Sequence, residues 1–89
     1  MEQYLVELYL PRGGEAAVRA ARAASGQVTM EGRHVRHLRT ILVPQDEICF
    51  HLYEAQDADA VGEACLRAGI AYERIVRAVS IDGERSGAG

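Results

Sequence analysis

Apolar and polar positions alternate along Tyr4–Leu10 (YLVELYL). Tyr4, Val6, Leu8 and Leu10 share one face and Leu5, Glu7 and Tyr9 the other, which predicts a strand with one apolar and one mixed face. Pro11 ends it, and Gly13-Gly14 supply a turn. From Glu15 the period lengthens. Ala17, Ala21, Ala24 and Val28 fall on one helical stripe, with Arg19 and Arg22 off it. The stripe predicts a helix to about Glu31, running through Gly26 at a cost of up to about 1 kcal/mol, with Gly32 as its stop. Alternation returns at His34–Val43 and Glu47–Ala55, two strands joined through Pro44-Gln45-Asp46 as a hairpin. Asp57 suits the N-cap of a second helix, Ala58–Ala68, with Val61, Ala64, Cys65 and Ala68 inward and Gly69 at its end. Tyr72–Val79 reads as a fourth strand. Residues 1–81 form one domain in this reading, and Asp82–Gly89 is a polar, glycine-rich tail expected to be disordered.

The element order is therefore βαββαβ. Right-handed crossovers fold that order into an α+β, ferredoxin-like antiparallel sheet, strand order 4-1-3-2, with both helices on one face.

Hairpin register decides which side chains share the other face. Pairing Val43 with Glu47 puts Phe50 and Leu52 under the helices beside Leu38, Leu42, Val6 and Leu8. Pairing Val43 with Ile48 places Thr40 opposite His51 and mixes Phe50 and Leu52 with Arg39 and His37. A slip of one residue exchanges whole faces, and burial of the larger apolar residues favours the first register. The open face is then expected to carry Leu5, Glu7, Tyr9, Val35, His37, Arg39, Ile41, Val43, Cys49, His51 and Tyr53. Such a half-apolar, half-polar face suggests burial against a partner around a pocket. In this topology two sheets can meet as a homodimeric α+β barrel. A chain this short buries only about 64% of its unfolded surface, and that thin core points the same way.

Composition narrows the chemistry. The chain has 89 residues and a net charge of −3, with a pI near 5.5, so general affinity for nucleic acid or anionic lipid is not expected. No apolar run approaches the roughly 20 residues of a membrane span, and the start lacks the basic opening of a signal peptide. All basic residues are arginine, which removes lysine Schiff-base chemistry. Two cysteines without a CxxC spacing give neither a disulfide framework nor a ferredoxin-like metal-carrier motif, and a cytoplasmic location is expected. No phosphate-binding glycine pattern and no Ser-His-Asp constellation is present. Arg33–Arg39 (RHVRHLR) is split between two faces by strand alternation. The third strand also lacks the basic-Gly-aromatic signature of RNA-recognition domains.

Glu7, Arg39 and His51 form the expected cluster of the open face. They read either as a metal or acid/base site or as a salt bridge beside a hydrogen-bonded histidine. The stretch Val35–Ala55 (VRHLRTILVPQDEICFHLYEA), the helix and strand after it to Ile75, and Glu7 and Pro11 resemble a family of small bacterial ferredoxin-like proteins that bind or respond to nickel. The resemblance covers nearly all of residues 3–79. It implies a ferredoxin-like dimer and, for its metal-binding branch, nickel on the sheet. That branch carries a histidine where this chain has Arg39 and tends to carry a cysteine near His51. A guanidinium stays protonated and cannot ligate a metal. Glu7, His37, His51 and Cys49 then remain as a substitute set for nickel or another divalent transition metal.

The leading expectation is a non-catalytic metal-binding homodimer. A second is a pocket for a small anion, or a cofactor-independent enzyme of the dimeric barrel type. There Arg39 would hold the anionic group, His51 or Glu7 would move a proton, and Tyr9 and Tyr53 would line the wall. A third is a structural dimerisation module.

Overall fold

The computed structural model describes residues 1–9 and 14–83. Its order is β1 (Glu2–Tyr9), α1 (Gly14–Ala24), β2 (Val35–Val43), a short 3₁₀ turn (Pro44–Asp46), β3 (Ile48–Ala55), α2 (Ala58–Arg67) and β4 (Arg74–Ala78). The sheet is antiparallel with order β2-β3-β1-β4, the expected ferredoxin-like α+β arrangement. Most of the tail expected to be disordered lies outside the described residues. Among the described residues no helix is long and apolar enough to cross a membrane.

α2 starts and stops where local chemistry directs. The Asp57 side chain accepts from the Ala60 N–H at 2.9 Å, satisfying one of the first-turn donors. At the other end Gly69 adopts φ 77°. The Ile70 N–H then returns to the Cys65 carbonyl at 2.9 Å, and that of Gly69 to Leu66 at 3.1 Å. α1 is shorter than its alanine stripe implied. It ends at Ala24, because Gly26 takes φ 78° and turns the chain out of the helix. Val28 pairs instead with His34 in a single bridge. Thr29 is buried and its hydroxyl accepts the N–H groups of Glu31 and Arg33, closing the turn.

The face assignment of β3 is the reverse of the expected one. Glu47 sits at φ 54°, in the left-handed region, and belongs to the turn rather than to the strand. Val43 therefore closes the hairpin with Ile48, and Thr40 pairs with His51. Farther from the turn, His37 pairs with Tyr53 and Val35 with Ala55, because a bulge at Leu38 shifts the register. Cys49, His51, Tyr53 and Ala55 lie in the core with Tyr4, Val6, Leu8 and Val35. The rows of paired residues put Ile48, Phe50 and Leu52 on the opposite face beside Leu5, Glu7 and Tyr9.

Packing explains why. The helices present Ala17, Ala21 and Ala24 from α1 and Ala60, Val61, Ala64 and Cys65 from α2. Small faces bring the helices close to the sheet, and Tyr53, His51 and Cys49 fill the layer with no measurable exposure. The Tyr53 hydroxyl donates to the Ala21 carbonyl at 3.0 Å, so this polar group is satisfied inside the core.

Candidate functional site

His37 and Thr40 stand three residues apart, and unbroken alternation would put them on opposite faces. The bulge at Leu38 turns both toward α1. There a hydrogen-bonded row forms: His37 Nε2 lies 2.8 Å from Thr40 Oγ1, and Thr40 Oγ1 lies 2.8 Å from His51 Nδ1. Cys49 Sγ continues it, 3.8 Å from His51 Nδ1 and 3.9 Å from its Nε2. The His37 and His51 rings meet edge to face, 5.8 Å between centroids, and Tyr53 lies against both. Ser25, just past α1, accepts the His37 backbone N–H at 3.0 Å and ties the strand to the helix end.

Burial sets the protonation of this row. Desolvation, helped by the nearby positive charge His37 can acquire, pulls His51 down to about 4. His37 is lowered by burial and further by the Arg22 guanidinium, against an opposing backbone hydrogen bond at Arg39. Both imidazoles are therefore neutral at physiological pH. Burial raises Cys49, which stays a thiol, and pushes Cys65 up to about 11. Burial raises Tyr53 as well.

The expected site residues divide between the two faces. His37, His51, Cys49 and Tyr53 come together under the helices. They do not lie on the open face, because of the extra turn residue and the bulge. Glu7 is on the open face, where its carboxylate accepts from Arg74 Nε at 2.8 Å. It meets neither His51 nor Arg39. Tyr9 sits at the end of β1 and is 63% exposed. Arg39 pairs across from Leu52, with its side chain exposed at the edge strand. The expected pocket of Arg39, Glu7, Tyr9, Tyr53 and His51 is thus not assembled within one protomer, and neither is the metal set that included Glu7. Thr40, Ser25 and Arg22 were missed as contributors. Their signal was the bulge, which no residue of β2 announces.

By donor type, two neutral imidazoles and a sulfur suit a borderline transition metal. Both ring nitrogens already aim at one point, now held by the Thr40 hydroxyl. The chain's own residues fit such an ion as a partial set: among the described residues no three His, Cys, Asp or Glu side chains converge as a complete metal-holding group.

The profile of a family described as "Nickel responsive protein SCO4226-like" matches residues 4–77. The fold superposes on the crystal structure of SCO4226 from Streptomyces coelicolor A3(2) with a TM-score of 0.69 and 17% sequence identity, covering 91% of this chain and 99% of that one. No curated protein matches the sequence. At that identity the structural match speaks for the fold, and the family match for membership.

Proposed function

The chain belongs to the family of nickel-responsive SCO4226-like proteins, and on that footing we propose that it is a homodimer that takes up a transition metal, nickel first, on His37 and His51. The observation that carries this reading is the convergence of His37 Nε2 and His51 Nδ1 on a single point, 2.8 Å from each. Rotation of Thr40 about its Cα–Cβ bond moves its hydroxyl aside and frees both nitrogens. Their neutrality favours the reading, since a protonated imidazole has no lone pair to give. Cys49 stands beside His51 as a third, softer donor once its proton is lost. The bound ion would supply Lewis acidity at that point; the protein's residues hold it and bury it.

The second copy is supported by the open face. Leu5, Ile48, Phe50, Leu52 and Val76 line its centre by strand pairing, with Ile41 49% exposed at its edge. An apolar sheet face of this kind is unusual on a lone soluble domain. Two such faces stacked would bury it as a barrel. Cys49 and Cys65 are buried free thiols, which favours a reducing, cytoplasmic setting.

Calorimetric titration of metal-stripped protein with nickel tests the metal site. Wild type should bind, and His37→Ala and His51→Ala should each weaken binding by about tenfold or more. Glu7→Ala should leave it unchanged, because Glu7 lies on the other face. Failure of the wild type to bind removes the metal reading. Native mass tests the dimer separately and should come near twice 9.7 kDa.

A further inference from the structure

The Thr40 hydroxyl stands between His37 Nε2 and His51 Nδ1, 2.8 Å from each. A hydrogen bond of that length needs one proton between its two heavy atoms. Two such bonds need two protons, and a hydroxyl supplies at most one. At least one of the two ring nitrogens is therefore an N–H in this row, with no lone pair to offer at the shared point. We propose that Thr40 is the gate of the metal site. The closed row holds the site in a form that cannot ligate, and uptake requires a turn of the Thr40 side chain together with a tautomer change in at least one imidazole. The inference rests on the metal reading and says how that site is regulated.

Side-chain geometry, position and bond length give the gate its properties. Threonine has three staggered positions about its Cα–Cβ bond. In one the hydroxyl holds the shared point, as here; in another the methyl takes that place. Only the third puts the Cβ hydrogen there and leaves the point free, and branching at Cβ makes the exchange stepwise. The gate also stands on the way in. His51 and Cys49 have no measurable exposure, whereas His37 and Thr40 line a cavity of about 620 Å³ together with Arg22 and Ser25. An ion arriving through that cavity meets His37 and Thr40 before it meets His51.

Bond lengths set the last condition. The hydroxyl keeps each nitrogen 2.8 Å away, while imidazole binds a zinc-like ion at about 2.0–2.1 Å. Once the hydroxyl has turned aside, the rings must draw in on the ion. His37 adjoins the bulge at Leu38, where the broken ladder gives the backbone room to adjust. Gate and ligand then differ in the sign of their response to deletion. Loss of a ligand weakens binding, and loss of the gate tightens it, because no hydrogen bond has to be broken before the ion enters.

Two measurements test this. The first is nuclear magnetic resonance of the imidazole nitrogens in metal-free wild type near neutral pH, which reads each one as N–H or lone pair. At least one of His37 Nε2 and His51 Nδ1 should read as N–H. Lone pairs at both would overturn the proposal before any metal is added. The second is calorimetric titration with nickel of wild type, Thr40→Ala and Thr40→Ser. Thr40→Ala has only hydrogens on Cβ and should bind about fivefold tighter or more, the worth of roughly one hydrogen bond left unbroken. Thr40→Ser keeps the hydroxyl but lacks the methyl, and should fall between the two. Thr40 is half-buried on an edge strand, and thermal unfolding checks that both variants fold. If wild type binds nickel and Thr40→Ala binds it no tighter, the gate is overturned and the metal reading stands. If neither protein binds nickel, the metal reading falls and the gate with it.

Discussion

Under its helices the sheet holds Cys49, His51 and Tyr53, while its far side holds Ile48, Phe50 and Leu52. The covered face is thus the more polar of the two in β3. It can be so because each polar group there finds a partner in the chain: Tyr53 bonds the Ala21 carbonyl, and His51 bonds Thr40. The open face has the opposite economy. Its apolar side chains lie beyond the helices, Leu5, Ile48, Phe50 and Val76 half-buried and Leu52 buried among its neighbours, and it carries the ion pairs of Glu7 with Arg74 and of Arg36 with Glu54. The contrast teaches that in this chain cover, rather than polarity, separates the two faces. One is completed by the chain's own helices, and the other would be completed by the proposed second copy.

The largest expected effect falls on the covered face. Tyr53 has no measurable exposure and fills the layer between β3 and α1. Tyr53→Ala should cost about 3–5 kcal/mol and leave the Ala21 carbonyl unpaired. In a thin domain that approaches the whole stability. Denaturant unfolding followed by circular dichroism measures it. A loss under about 1 kcal/mol would mean that Tyr53 is not the packing element described.

On the open face the corresponding probe is Phe50→Asp. A charge at the centre of an interface between two sheets should halve the native mass and make stability independent of protein concentration. In a lone protomer the same change lies on a surface and should leave the secondary structure intact. A variant that keeps the dimeric mass would show that Phe50 is not covered by the second copy.

How far these two faces could be told apart from the sequence depends on particular residues. The βαββαβ order, the strand order and both ends of α2 were legible, because Asp57, Gly69 and the strand alternation act locally. The end of α1 was not. Val28 continues the alanine stripe by spacing, and only the positive φ of Gly26 shows that the helix has already stopped. The faces of β3 were not legible either. In ICFHLY both alternating sets are large, and burial of Phe50 and Leu52, the criterion that favoured the other register, pointed to the wrong face. The choice was made by Glu47, which adds one left-handed residue to the turn, and by the bulge at Leu38, which restores the other register beyond it. Neither is dictated by residue type. Of the expected site residues, His37, His51 and Cys49 do meet, on the face opposite to the one assigned, while Glu7 and Arg39 stay apart from them.

The covered histidines also respond to acid. The folded value of His51 is about 4 and the unfolded one about 6.5. Above 6.5 neither state is protonated there and the stability is fully present. As the pH falls from 6.5 toward 4, the unfolded chain takes up a proton that the folded chain refuses, and stability is lost. The loss is on the order of 3 kcal/mol, and the lowered His37 acts in the same direction. Unfolding of the metal-free protein across this window should show it, and His51→Gln should flatten the curve. A wild-type curve already flat between pH 4 and 6.5 would contradict the buried neutral imidazole.

The smallest effect sharpens the comparison most. Glu7 and Arg74 pair at 2.8 Å on the open face, and the Arg74 side chain is 64% exposed in the protomer. In water such a pair contributes little, so in the monomeric Phe50→Asp background Glu7→Ala should cost less than about 1 kcal/mol. Under a second copy the same pair is desolvated. Removing the carboxylate then leaves a guanidinium without its partner, and the cost should rise to several kcal/mol, about 3–5 for a fully buried pair. The difference between the two backgrounds measures how deeply the partner covers the centre of the sheet, without reference to any ligand. Equal small losses in both would mean that the pair remains in water, and that whatever covers Phe50 stops short of Glu7.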